Sequence, residues 1–233
     1  MMQQLLLQLA PPPAPTLDNY VPGRNGAALQ ALRDIARGAG AERFVYLWGE
    51  PGSGRTHLLR GLAQASGRKA LYCSGAPGNW QDNDCLENDS LDDEQVIAVD
   101  DVQDLSAGGQ TALFDLYNRV RAAGGALAAG GDAAPTQLAL RADLRSRLAW
   151  GLAFELHPLS DAEKAAALRE HARGRALDLT EDVIAYLLKH AQRDMASLIG
   201  ILDALDRYSL EQKRPVTLPL VRDALAAMKH TLA

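Results

Sequence analysis

The sequence predicts an α/β chain, a parallel five-stranded sheet flanked by helices and followed by a smaller all-helical domain. Three observations carry that expectation. The apolar run Phe44-Val45-Tyr46-Leu47-Trp48 leads through Gly49-Glu50-Pro51-Gly52-Ser53-Gly54-Arg55-Thr56 into the helical pattern His57-Leu58-Leu59-Arg60-Gly61-Leu62-Ala63, the strand, turn and helix of a phosphate-binding loop. Strand patterns then recur with helical patterns between them, which makes a parallel sheet covered on both faces. From Ser160 onward only helix signals remain.

Composition narrows the function classes. With 233 residues, 47% of them hydrophobic, the chain can bury one large or two modest cores. A net charge of -5 argues against a protein whose main task is gripping duplex DNA, because Lys and Arg neutralising phosphates supply most non-specific affinity. The two cysteines, Cys73 and Cys85, lack metal-ligand partners at short spacing, and the expectation is reduced thiols in a reducing cytosol. The run Leu5-Leu6-Leu7-Gln8-Leu9-Ala10 is too short to span a bilayer, and no Lys or Arg precedes it. A cytoplasmic protein is expected.

Residues 1–15 read as an extended tail. Pro11-Pro12-Pro13-Ala14-Pro15 favours a polyproline spacer. Ahead of it, Gln4-Leu5-Leu6-Leu7-Gln8-Leu9 puts Leu5, Leu7 and Leu9 on one side of an extended strand, either as a peptide for a partner's groove or as a frayed start packed on its own domain. Residues 16–157 form the α/β domain. Leu29, Leu32, Ile35 and Ala36 at helical spacing predict a helix over 27–37, ending at Gly38. Strands are expected at 44–48, 69–73, 95–99, 125–129 and 152–156, with helices at 56–65 and 110–123. The Asp-, Asn- and Gly-rich stretch 75–94 reads as a solvated connection with one short helix near Trp80. In residues 158–233, Ser160-Asp161-Ala162-Glu163 is a capping box before a helix over 164–172. Thr180 caps 183–190, an amphipathic run covers 195–212, and Thr217 starts 218–229.

The chemistry centres on the loop. Gly49, Pro51, Gly52, Ser53, Gly54, Arg55, Thr56 and His57 are the candidate nucleotide-binding residues, because a glycine-rich turn at a helix start directs backbone N–H groups and the helix dipole at phosphate oxygens. The pattern wants lysine where Arg55 stands. A planar guanidinium keeps the charge but does not fit between two terminal phosphates as an ammonium does. The buried strand Val96-Ile97-Ala98-Val99 ends in Asp100 and Asp101; Thr56 and Asp100 are the candidate magnesium ligands and Asp101 the candidate base. Arg145 and Arg147 precede the last strand, as a solvated face or as an arginine offered in trans to a neighbour's terminal phosphate. The five histidines share no metal or dyad spacing, and no Gly-x-Ser-x-Gly nucleophile turn occurs.

These pieces together resemble the AAA+ family of the bacterial replication initiator DnaA, and most closely its short regulatory branch. The resemblance is carried by Gln4–Leu9, the phosphate loop, Val99-Asp100-Asp101-Val102-Gln103, Phe114-Asp115-Leu116-Tyr117-Asn118-Arg119, Ser146-Arg147-Leu148-Ala149-Trp150-Gly151 and Pro158-Leu159-Ser160-Asp161. It implies an AAA+ P-loop NTPase fold with a helical lid domain. In the regulatory branch an N-terminal peptide, matched by Gln4, Leu5, Leu7 and Leu9, docks on the beta subunit of the DNA polymerase III sliding clamp. The clamp-bound protein then stimulates ATP hydrolysis by DnaA, with Arg147 at the arginine-finger position. DnaA carries a C-terminal duplex-binding domain and this sequence ends soon after its last helix, so a negative regulator of replication initiation is expected rather than the initiator. The alternative is a self-sufficient ATPase related to helicase loaders.

The resemblance also marks departures. Gly130-Gly131-Asp132 lacks the polar side chain expected before the Asp of the sensor strand, and Ala196 follows Arg193-Asp194-Met195 where a lid arginine usually sits. With Arg55, these predict a chain that holds ADP or another nucleoside diphosphate, with Mg2+, or keeps an empty site, and turns over ATP poorly. It is expected to be a regulator rather than an enzyme, able to homodimerise, with no membrane association and no strong direct DNA binding.

Overall fold

A computed structural model describes residues 13–67, 70–76, 92–175, 177–191, 194–212 and 215–231. The chain divides into two units, one spanning Pro15–Pro158 and the other holding the helices from Leu159 on. The expected tail peptide Gln4, Leu5, Leu7 and Leu9 and the short helix near Trp80 lie outside the described residues.

In the first unit five strands are all parallel: β1 Phe44–Trp48, β2 Ala70–Ser74, β3 Val96–Asp100, β4 Ala126–Gly131 and β5 Leu152–Glu155, in the order β2-β3-β4-β1-β5. Period-two alternation sorts their side chains between two cores. Val45, Leu47, Val96, Ala98, Ala126 and Ala128 face helices α1 (Gly26–Ala36) and α2 (Arg55–Ala65) through Leu29, Leu32, Ile35, Leu58, Leu59 and Leu62. Tyr46, Cys73, Ile97, Val99, Leu127 and Ala129 face α3 (Ala107–Ala123) and α4 (Ala142–Leu148) through Leu113, Leu116, Val120, Leu144 and Leu148. Burial on both faces explains why these strands read as continuous apolar runs.

Three expectations need correction. The third helix starts at Ala107 rather than 110, because Ser106 accepts a hydrogen bond from the Gly109 N–H and its cap outweighs the cost of two glycines in the first turn. Residues 142–148 form α4, where only a pair of arginines before a strand was expected; the apolar positions Leu144 and Leu148, four apart, turn it against the sheet. Cys73 is disulfide-bonded rather than reduced. Ligand spacing says nothing about which cysteines meet in space, so the sequence could not show this bond.

The second unit contains α5 Asp161–Gly174, α6 Glu181–His190, α7 Met195–Gln212 and α8 Leu218–Thr231. Leu168, Val183, Leu187, Leu198, Leu202, Leu205 and Val221 form its core. Between α5 and α7, His171 meets Asp203 at 2.7 Å. The Ser160 capping box is complete: its hydroxyl accepts from the Glu163 N–H at 3.2 Å, and Glu163 Oε2 accepts from the Ser160 N–H at 2.8 Å. Thr180 occupies the N-cap of α6 but makes no side-chain cap bond.

Because the Ser160 hydroxyl accepts from the helix-start Glu163 N–H, Ser160→Ala should lower the stability of this unit by about 1 kcal/mol. Denaturant unfolding followed by circular dichroism checks the value, and a substitution at Thr180 should have a smaller effect.

Candidate functional site

The phosphate loop joins the carboxyl end of β1 to the start of α2, and ligands of open parallel sheets bind at the carboxyl ends of the strands. The Ser53 N–H donates to Glu50 O at 3.1 Å, and Gly54 caps α2 at φ 95°, a conformation that suits glycine. A side chain at 54 would also strike Tyr20, whose ring carbon would lie 2.7 Å from its Cβ. Ser53 is buried to 4% exposure with Oγ unpartnered, and Arg55 Nη1 is buried without a partner as well. Buried polar atoms without partners are uncommon and call for an explanation. A bound phosphate group supplies one, since both atoms flank a helix N-terminus with free backbone donors. The loop residues therefore fit a nucleotide: Gly52, Ser53 and Gly54 for the phosphates, with Arg55 adding positive charge.

Segments far apart in sequence hold this loop. Asn25, 4% exposed, donates through Nδ2 to His157 O at 2.9 Å and to Tyr20 Oη at 3.0 Å, and its Oδ1 accepts from the His157 N–H at 2.9 Å. Tyr20 in turn donates to Ser53 O at 3.3 Å. On the other side His57 Nε2–H points at Thr16 O, 3.0 Å away, and Asn19 Oδ1, 2.8 Å away. Thr16 and Asn19 close a reciprocal turn, each side chain accepting the other's N–H at 2.9 Å. Tyr20 and Asn25 were not singled out by sequence reasoning. An aromatic and an amide between Asp18 and Gly26 look like any loop until the fold brings them to the phosphate turn.

The two carboxylates lie at the carboxyl end of β3. Asp100 is 1% exposed; its Oδ2 accepts from Tyr72 Oη at 3.1 Å and its Oδ1 from the Asp101 N–H at 3.0 Å. Tyr72, also missed, sits under Arg60, whose guanidinium carbon lies 5.1 Å from the ring centroid. Burial pushes the Tyr72 phenol up to about 12, so it remains a donor to Asp100 across the neutral range. Asp101 has φ 52°, an uncommon conformation for a residue other than glycine, with its carboxylate near Ser74 Oγ at 3.4 Å and Gln103 Nε2 at 3.5 Å. Thr56, the other candidate metal ligand, is exposed at the start of α2. Among the described residues no group of three or more His, Cys, Asp or Glu gathers as a metal site, so a magnesium ion would take Thr56, Asp100, phosphate and water oxygens.

The sensor-strand departure has a structural counterpart. A Cβ at Gly131 would lie 2.2 Å from Tyr46 Oη, so the space a polar side chain would need is filled by a phenol from β1. That phenol donates to Ala133 O at 2.9 Å. Burial, with Asp132 nearby, raises its pKa, while the charge of Arg55 works in the opposite direction. In the second unit Ala196 lies in the first turn of α7, and Arg193 is outside the described residues.

Arg147 is not brought to this loop. It lies on α4, over Trp150 at 4.6 Å, Phe114 at 5.6 Å and Tyr117 at 6.0 Å, on the face of the sheet opposite α2. No carboxylate pairs with it among the described residues.

Known proteins bear on both units. Residues 161–225 match the family model described as Hda, lid domain. Over the whole chain, domain III of the Thermotoga maritima initiator DnaA superposes with a TM-score of 0.70 at 22% identity, covering 94% of this chain and 97% of that one. AMPPCP-bound DnaA from Aquifex aeolicus gives 0.65 at 22% identity, with 88% of this chain and 68% of that one covered. A Thermotoga maritima RuvB variant gives 0.65 at 18%, with 92% and 72% covered. The fold is the one these chains share, a parallel sheet flanked by helices and followed in sequence by a helical unit. Among the described residues no helix is long and apolar enough to cross a membrane.

Burial lowers the His57 pKa below 6.5, its acceptor at Thr16 opposing the shift in part. The folded state therefore binds a proton at His57 less readily than the unfolded chain does. The resulting stability is fully present above about pH 6.5 and is lost as pH falls through the folded-state pKa. His57→Gln, which keeps a donor but does not titrate, should show a flatter fall in melting temperature between pH 7 and pH 5 than the unaltered chain.

Proposed function

We propose that this chain is a negative regulator of chromosomal replication initiation. It links the sliding clamp to ATP-bound DnaA and promotes hydrolysis of the nucleotide on DnaA. The observation that carries this reading is the placement of Arg147: partly exposed, without a carboxylate partner among the described residues, and on the face of the sheet opposite α2, the helix that follows the chain's own phosphate loop. An arginine so placed suits delivery to another molecule's terminal phosphate, where such a group is worth ~1,000-fold or more in hydrolysis rate. The Hda lid domain and the DnaA-like fold support the choice of partner.

In this reading the chain's own site is for binding. ADP or another nucleoside diphosphate, with Mg2+, rests on residues 49–57, with Thr56 and Asp100 at the metal; when bound, Mg2+ neutralises phosphate charge. Arg55, Gly131 and Ala196 replace side chains that contact a terminal phosphate in the family this chain resembles, and Asp101 retains a base's position without a complete set of partners. Steady-state ATP turnover by the chain alone is expected to be far below that of an ordinary AAA+ enzyme. The peptide Gln4, Leu5, Leu7 and Leu9 tethers the chain to the clamp through the proline spacer, in the cytoplasm, and a homodimer that covers Arg147 would hold the regulator idle.

The test uses DnaA preloaded with labelled ATP and clamp loaded on DNA. The full chain should accelerate hydrolysis, and a variant lacking residues 1–10 should lose most of that acceleration whenever clamp is required. Acceleration that ignores both clamp and tail would overturn the tether. Rapid ATP turnover by the chain alone, abolished in Asp101→Ala, would favour the self-sufficient ATPase.

A further inference from the structure

Trp150 is the most exposed large apolar side chain of the described residues, at 55%, yet it is not idle surface. The guanidinium carbon of Arg147 lies 4.6 Å from its ring centroid and that of Arg121 lies 4.4 Å from it. The backbone binds the indole to the same turn, the Trp150 N–H donating to Arg147 O at 3.1 Å. Phe114 and Tyr117 of α3 complete the aromatic surround, and Tyr117 is itself packed on Phe44 with ring centroids 4.4 Å apart. Below, Leu144 and Leu148 fix α4 in the core at 0% and 4% exposure.

We infer that Trp150 is a positioning residue for Arg147, holding its guanidinium at a fixed orientation while leaving its hydrogen-bond donors free for an incoming anion. This rests on the reading of Arg147 as an arginine acting in trans. The physical argument is one of competing partners. A carboxylate would orient the fork by consuming its donors, and a phosphate would then have to displace it. An aromatic face contacts the flat of the guanidinium instead, and all five N–H groups lie in the guanidinium plane. The fork is thereby ordered before the partner arrives, at little cost on transfer, because an exposed cation–π contact is weak. Preordering matters where a displacement of about 1 Å can cost ~100-fold in rate. Arg121, sharing the indole from α3, keeps the ring in place although it is open to water, and adds a second positive charge beside the first. No carboxylate among the described residues pairs with Arg121 or Arg147. Trp and Arg side by side on an open surface are also the residue types that dominate binding hot spots, so the test separates orientation from contact.

Two measurements decide it. In the isolated full chain, the Nε–Hε resonance of Arg147, assigned with Arg147→Lys, should carry a ring-current shift that disappears in Trp150→Ala and survives in Trp150→Phe. An Arg147 resonance unmoved by Trp150→Ala overturns the proposal without reference to any partner. In the hydrolysis assay with ATP-loaded DnaA and clamp, Trp150→Ala should lower the maximal stimulation at saturating protein by about tenfold or more. Trp150→Phe should stay within about threefold of the unaltered chain, and the half-saturating concentration should change less than the maximum. A Trp150→Ala variant that reaches the full maximum, with only its half-saturation raised, overturns positioning in favour of simple contact. Absence of stimulation by the unaltered chain would refute the proposed function, and the resonance measurement would still decide whether the indole orders Arg147.

Discussion

The phosphate loop keeps its shape because one buried amide, Asn25, joins three stretches that the sequence keeps far apart. Its side chain pairs with both backbone groups of His157 at the end of β5 and donates to Tyr20, which reaches the carbonyl of Ser53 inside the loop. A side-chain amide can make four hydrogen bonds, and three are engaged here. Removing it would leave the His157 N–H without its Asn25 partner, a loss of about 1–3 kcal/mol where the group is buried. His57 closes the other side through Thr16 and Asn19. The loop is thereby presented on a scaffold whose hydrogen bonds come from the chain itself.

The unusual residues of the site make sense together rather than singly. Arg55 brings a larger, flatter cation than lysine, and its Nη1 is buried. The sensor strand is small, Gly130 and Gly131, and the space beside Gly131 is taken by the Tyr46 hydroxyl bound to Ala133. A polar side chain at 131 and the Tyr46 phenol cannot coexist, since the would-be Cβ and Oη lie at 2.2 Å. Asp100, in contrast, keeps two donors and full burial.

Much of this was legible in the sequence because it rests on local rules. The loop, its flanking strand and helix, the strand pattern and the Ser160 capping box follow from spacing alone, and the match of residues 161–225 to the Hda lid-domain model and the superposition on DnaA domain III agree with the family resemblance drawn from the motifs. What escaped was set by tertiary proximity. The Tyr72 contact to Asp100, the Asn25 node, the fit of Tyr46 against Gly131 and the bond at Cys73 all join residues distant in the chain. The short helix α4 escaped for a different reason: seven residues with two apolar positions give too little periodicity to separate helix from loop. That helix carries Arg147 on a packed element, with Trp150 two residues past its end and its N–H bonded to Arg147 O.

The central claim is that this chain donates an arginine to another protein's nucleotide instead of working on its own. Single-turnover hydrolysis of ATP preloaded on DnaA, with clamp on DNA, tests it most directly when Arg147→Ala and Thr56→Ala are compared. The account predicts that Arg147→Ala abolishes the acceleration while its clamp binding stays unchanged, and that Thr56→Ala, altered only in the chain's own site, retains a substantial part of it. Acceleration that survives Arg147→Ala and vanishes with Thr56→Ala would contradict the account and place the chemistry in the chain's own phosphate loop.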